Sequence, residues 1–322
     1  MIRRFGKHNT ATEVQETRRL RTTVAKFFTD LRRILGPTAL RRIMRQLPEN
    51  NGMALAGQLA YLFILFLFPF LIFLLTLVGI AVNNPEAALK DVASRMEGFW
   101  PQETTDLIRG YLDRTAKSIS LATFISSVLF TLGVGSATTE AIGNAANRFY
   151  GVQETRPFWK VRGVAILLIF GFTVMIAALA FMVLSPQTGA YLQRAMGLPA
   201  VFLNLWTLSG WLMTFLAVTL ALDVLYYLAP NVDIPFKWVT PGGFTAAILL
   251  LVANQVMKYF VADVFHYDQF YGQLGAGIVL LTWLYVIALV VLIGIQMNAV
   301  LAQMAEEHGD IEIGESPTED SQ

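Results

Sequence analysis

From Asn50 to Pro85 the chain carries no charged residue. The heart of this stretch, Met53 to Val82, reads MALAGQLAYLFILFLFPFLIFLLTLVGIAV. As a helix it extends about 45 Å, against about 30 Å for the hydrocarbon core of a bilayer, so it crosses with tilt to spare. A soluble helix has no need to be apolar on every face over that length. Pro69, near the middle, removes one backbone donor and predicts a kink. The run is too long for a secretory signal and follows a basic segment of some fifty residues, so it is read as a membrane-spanning helix.

Five further charge-free windows follow: Ser118–Thr139, Gly163–Gln193, Ala195–Leu222, Trp238–Met257 and Gln269–Ala305. Pro186 and Gly189 mark the expected stop of the third helix. Helices are therefore predicted at 119–142, 161–184, 200–228, 240–262 and 273–302, six spans with the first. A chain that is 55% hydrophobic and only 15% charged is too apolar for an ordinary soluble domain. The fold class expected is all-α: a polytopic membrane protein, a bundle of six transmembrane helices with amphipathic helices at the interfaces. The chain has no cysteine, which excludes disulfides, thiolate metal sites and cysteine nucleophiles.

Residues 1–49 are polar and basic. Leu20, Val24, Phe27, Leu31, Ile34 and Leu35 recur on one helical face, and Gly36-Pro37 ends that helix. Ala39, Leu40, Ile43, Met44 and Leu47 outline a second, shorter one. A basic amphipathic helix just before a span is read as lying on an anionic leaflet, with Arg18, Arg19, Arg21, Lys26, Arg32 and Arg33 as the lipid contacts. A charge cluster that only fixes topology explains the same arginines. No nucleic-acid reading motif accompanies them.

Short-loop lysines and arginines set the orientation. The loop after the second helix holds Arg148, Arg156 and Lys160, and the loop after the fourth holds Lys237; the loop after the fifth holds none. Both termini are expected in the cytoplasm. The domain plan is a basic cytoplasmic segment, 1–49, and a six-helix transmembrane domain, 50–302. Within that domain lies an external amphipathic insert, 83–118. An acidic tail, 303–322, is expected to be disordered.

Polar groups inside a membrane are functional candidates by default, with structural hydrogen bonding as the competing use. Gln58 lies early in helix one, Glu140 and Asn144 late in helix two, Asp223 late in helix four, and Gln296 and Asn298 late in helix six. Mapped through the topology they form one layer in the cytoplasmic half. One reading is a water-filled vestibule with Glu140 and Asp223 as its acidic members. The other is mutual hydrogen bonding, or pairing with Arg148, Arg156 or Lys237. Lys258, near the outer end of helix five, is expected to snorkel outward or pair with Asp263. The small residues Gly133, Gly135, Ser136, Ala137, Gly143, Ala145 and Ala146 are assigned to helix packing, as are Gly275, Ala276 and Gly277.

Several local phrases carry a resemblance. Leu59-Ala60-Tyr61 with Leu67-Phe68-Pro69, then Asn147-Arg148-Phe149-Tyr150-Gly151 with Glu154, Arg156 and Lys160, resemble the YihY/BrkB family of bacterial inner-membrane proteins. So do Tyr226 to Asn231, Trp238, Pro241-Gly242, Tyr271 to Gly275, Trp283-Leu284-Tyr285 and Gly294 to Asn298. These phrases look like helix-end and packing motifs, and none is a catalytic signature. The chain departs from the family at Phe66, where Ser is common, and at Gln296, where an acidic residue is common. The resemblance implies six spans in the bacterial inner membrane, and the family has borne both virulence-factor and tRNA-processing ribonuclease labels.

A metal-dependent nuclease needs clustered His, Asp or Glu. The only histidines are His8, His266 and His308, with no metal-ligand spacing between them; Asp263, His266 and Asp268 are expected in an exposed outer loop, solvated rather than holding a cation weakly. Without a GxxxxGK[ST] loop the chain is not itself an ATPase. The expectation is a non-enzymatic inner-membrane transporter or exporter that needs no cofactor or metal and handles lipid or another amphipathic molecule. The alternative is an envelope scaffold. The expected partners are membrane lipids, anionic ones at the cytoplasmic leaflet, and not nucleic acid; a homo-oligomer is compatible with the sequence. Phe149-Tyr150-Gly151 and Phe270-Tyr271-Gly272 sit at matching places in two three-helix halves, as an inverted repeat would place them.

Overall fold

The computed structural model describes residues 29–30, 32, 36–81, 110, 121–199, 201–233, 239–259 and 273–309. The insert at 83–118 lies outside these residues except for Gly110, as do Arg18, Arg19, Arg21, Lys26, Arg33, Lys237, Asp263, His266, Asp268 and the side chain of Lys258. Every long element among the described residues is a helix: α1 Pro37–Glu49, α2 Gly52–Ala81, α3 Leu121–Tyr150, α4 Phe158–Met196, α5 Val201–Leu228, α6 Pro241–Tyr259 and α7 Gln273–Glu307.

Consecutive helices from α2 to α7 pack side by side, and α7 returns to pack on α2 and α3 as well as on α1. α7 is the most buried of the spans and forms the axis of the bundle. Within the described residues, four segments are long and apolar enough to cross a membrane: Gly52–Leu74, Leu121–Tyr150, Val201–Leu228 and Gly277–Glu307. Pro241–Met257 is a shorter apolar helix. Leu205, Leu208, Leu212, Met213 and Leu216 are exposed along α5, as are Ile166, Leu167 and Phe170 on α4. Apolar surface on this scale suits lipid rather than water.

The helix ends differ from those predicted, and backbone geometry explains why. α3 continues past Glu140 to Tyr150 and stops where Gly151 turns left-handed at φ 75°; charge at Glu140 is no helix breaker, whereas a left-handed glycine is. α4 runs through Pro186 and Gly189 to Met196 and closes at left-handed Gly197, whose N–H donates to the Gln193 carbonyl. Gly189 is a crossing point rather than a stop: a Cβ there would lie 2.5 Å from Cδ1 of Trp206 on α5. α7 continues to Glu307, so the first residues assigned to the tail are helical, up to the left-handed turn at Gly309. α2 stays helical through Pro69.

A tight corner joins α1 to α2. Asn50 and Asn51 turn the chain, Asn51 at a positive φ of 57°, and Gly52 then lies so close to Leu47 that a Cβ would come within 2.6 Å of its Cδ1. α1 buries Ala39 and Ile43 against Met297 and Val300 of α7.

Of the small residues assigned to packing, Gly135 fits best. A Cβ there would meet Ile169 of α4 at 2.6 Å and Phe66 of α2 at 2.9 Å. Gly133 and Gly277 have nothing within 4 Å of that position. Gly189→Val is therefore expected to lower thermal stability in detergent by about 1–3 kcal/mol through overpacking. Gly133→Ala should leave the melting temperature unchanged or slightly raised, and equal effects of the two would contradict the packing described.

Candidate functional site

The polar side chains gather at the end of the bundle that carries α1 and the C-terminus of α7. At the start of α6, Thr240 caps the helix by accepting the Gly243 N–H (3.0 Å) on its hydroxyl, which leaves Pro241 at the first helical position, where no donor is missed. The same hydroxyl accepts the Asn298 amide (2.9 Å) and donates to Oδ1 of Asp223. Asn298 in turn accepts the Gly242 N–H at 2.9 Å. Three helices thus meet on one threonine.

Close approach here depends on glycine. A Cβ on Gly242 would overlap the Gly294 carbonyl and Asn298, and one on Gly243 would overlap the Asp223 carboxylate. One on Gly294 would overlap the Tyr226 hydroxyl, which donates to the Val291 carbonyl at 3.0 Å. Asp223 itself is wholly buried, and its Oδ2 has no hydrogen-bond partner.

A second network ties the loop after α3 to the end of α5. Arg156 donates to the carbonyls of Leu228 (3.0 Å) and Ala229 (2.8 Å), and pairs two-pronged with Glu154 at 2.7 Å per prong. Glu154 also accepts the Asn147 side-chain amide N–H at 3.0 Å, while Oδ1 of Asn147 accepts the Asn231 N–H. Asn231 donates onward to the Gln153 carbonyl and the Thr155 hydroxyl. Burial pushes the Glu154 carboxyl up, but the hydrogen bonds and charge of Arg156, with the Asn147 amide, outweigh it and hold the group below its ordinary value of 4.5.

A third network is a relay of glutamines. Gln296 donates to Gln46 (2.8 Å), Gln46 to Gln303 (3.2 Å), and Gln303 to the Phe149 carbonyl (3.0 Å), linking α1, α7 and the end of α3. Arg42 adds an ion pair to Glu307 at 2.9 Å.

The six residues expected to share one polar layer divide. Asp223 and Asn298 meet at Thr240, and buried Gln296 joins the glutamine relay. Gln58, Glu140 and Asn144 are exposed on α2 and α3. Arg156, weighed as a partner for Glu140 or Asp223, is taken by Glu154 and the α5 carbonyls instead. Arg32, of the expected lipid contacts, is exposed.

Residue chemistry alone does not single out Thr240, Gly243, Gln46 or the Glu154–Arg156 pair. Thr240-Pro241-Gly242-Gly243 does carry a legible helix-start signal, a capping hydroxyl followed by proline. Among the described residues no three His, Asp or Glu side chains are grouped so as to hold a metal ion.

Such a bundle of long apolar helices, with its polar contacts gathered at one end, is an integral membrane protein. The chain belongs to the family described as virulence factor BrkB, which matches residues 43–316. It is 28% identical over 264 residues to the ribonuclease-like protein YfkH of Bacillus subtilis, covering 81% of this chain and 94% of that one. A UPF0761 membrane protein of Psychromonas ingrahamii is 22% identical over 83% of this chain and 89% of its own. One from Alkalilimnicola ehrlichii is 31% identical over 50% of this chain and 36% of its own. No solved structure matches.

Arg156→Ala is expected to cost about 2–4 kcal/mol, because it leaves two helix-end carbonyls without their donor and the Glu154 carboxylate without its cation. Since the folded value of Glu154 is depressed, its contribution is present above 4.5 and is lost as pH falls through the folded value. Melting curves of the wild type should lose stability on acidification below 4.5, and Glu154→Gln should lack that component.

Proposed function

We propose that this chain is a six-pass protein of the bacterial inner membrane, with both termini in the cytoplasm. In this reading it moves a lipid or another amphipathic molecule without hydrolysing ATP itself. The observation that carries the reading is Asp223, a wholly buried carboxyl group in a helix apolar enough to cross a bilayer, with one oxygen unanswered. A charge in mid-membrane costs about 3 kcal/mol, less towards the interface. Holding α6 in place does not require that cost, since the neutral amide of Asn298 beside it already accepts a helix-start N–H.

The exposed side chains Gln58, Glu140 and Asn144 add support. They stand on antiparallel neighbours, in the second turn of α2 and the last turns of α3, where Tyr61 and Met53 are also exposed. Polar groups on an otherwise lipid-facing surface suit a substrate with a headgroup and acyl chains. The basic segment before α1 is read as resting on anionic lipid.

The ribonuclease-like name of one relative is not carried over. His308, the histidine of the three among the described residues, turns its ring nitrogen to the Met304 carbonyl in the last turn of α7. A scaffold remains the second reading, favoured by Arg156 and Asn298, whose hydrogen-bonding groups are spent on neighbouring helices.

Because the chain has no cysteine, single cysteines report topology cleanly. One near Asp268 should react with an impermeant reagent from outside the cell and one near Glu154 should not; the reverse pattern would overturn the orientation. For activity, the purified protein in vesicles carrying a fluorescent phospholipid should speed its exchange between leaflets, read by quenching from outside. Asp223→Ala should return the rate to that of protein-free vesicles. Wild-type protein that leaves the rate at the protein-free level would remove the lipid-transport reading and leave the scaffold.

A further inference from the structure

Hydrogen-bond valences at the α5–α6–α7 junction point to a specific ligand for Asp223. The Thr240 hydroxyl has one hydrogen and two lone pairs. Both lone pairs are filled, by the Gly243 N–H and the Asn298 amide, so its hydrogen must go to Asp223 Oδ1. Tyr226, one turn along α5, spends its hydroxyl hydrogen on the Val291 carbonyl. The Thr240 backbone N–H also faces the Asp223 carboxyl, yet Oδ2 keeps no hydrogen-bond partner. A fully ionised carboxylate here would be answered by Thr240 alone, through its hydroxyl and its backbone N–H, with Oδ2 left bare where a buried anion ordinarily needs several donors.

The charged surroundings offer no substitute. α6 brings no ionisable side chain between Pro241 and Met257, and α7 none but Tyr285 before Glu306. α4 brings Lys160 and Arg162 at its start, the latter lying over the Phe158 ring. Arg156 is committed to Glu154 and the α5 carbonyls. Nor is a metal site assembled around it, since among the described residues no three His, Asp or Glu side chains are grouped to hold one.

We propose that Asp223 is a proton-binding site, carrying a proton on Oδ2 while the start of α6 is docked on Thr240. On release the Oδ2–H bond breaks heterolytically, the electron pair stays on the carboxylate, and the proton passes to water reaching the junction from the α1 end. The anion so formed attracts the α6 N-terminus more strongly than the neutral acid does, so proton occupancy sets how firmly α6 is held. As a coupling site for transport this rests on the reading above; as a proton site it rests on the junction alone.

The test is infrared spectroscopy of the wild-type protein in lipid, titrated through neutral pH, with aspartate carbon-13-labelled at its side-chain carboxyl. Expected is a neutral-carboxylic-acid C=O band near pH 7 that shifts with the label, disappears as pH is raised, and is missing from Asp223→Asn. Glu140→Gln should retain it. Absence of the band from wild type, or its persistence in Asp223→Asn, would overturn the proposal. If Asp223→Asn fails to fold, the label decides in the wild type, since a band that does not shift is not an aspartate's. The band without lipid exchange keeps the proton site and removes transport; lipid exchange without the band does the reverse.

Discussion

Two carbonyl groups at the end of α5, those of Leu228 and Ala229, must find donors where helical hydrogen bonding runs out. Arg156 supplies them from a different loop. Away from water, an unanswered backbone group is costly, and close packing of apolar side chains gains little in lipid because the tails are equally apolar. What holds one helix against another in such a protein is therefore largely small-residue contact and polar closure of helix ends. The Arg156 clamp closes α5, the Thr240 cap closes the start of α6, and the glutamine relay ties α1 to α7 and the end of α3. All three lie at one end of the bundle, which fixes the helices there.

This arrangement gives physical content to the family phrases. Asn147, Glu154 and Arg156 meet Tyr226 to Asn231 through the clamp, and Pro241-Gly242 meets Gly294 to Asn298 through the cap. Segments far apart in the chain are thus complementary halves of shared joints.

How much of this was legible in the sequence varies with the range of the interaction. The apolar runs placed α2, α5 and α6 to within a few residues, because length and hydropathy are local properties. Helix ends differ from expectation where charge or proline reads as a stop. Glu140 sits on an exposed face and interrupts nothing, and the backbone of α4 stays helical through Pro186 and Gly189. The true stops were left-handed glycines, Gly151 and Gly197, whose conformation depends on the turn that follows.

The polar layer was legible as a depth but not as a set of contacts. One turn of helix separates exposed Glu140 from buried Gly143, and sequence depth does not say which face meets a neighbour. Arg156 reads as a partner for the intramembrane acids, yet its own loop supplies Glu154 two residues away. In the sequence Thr240 is only a hydroxyl at a helix start, which is ordinary; its importance comes from Asp223 and Asn298 arriving on other helices.

Each of Gly242, Gly243 and Gly294 is matched by a larger polar residue on a neighbouring helix: Asn298, Asp223 and Tyr226 respectively. Such pairs constrain how the sequence can drift. Enlarging a glycine first passes through steric overlap, and shrinking its partner first leaves a void and unanswered polar atoms. Neither member can change alone without a less stable intermediate, so in a collection of related chains each pair should be inherited as a unit.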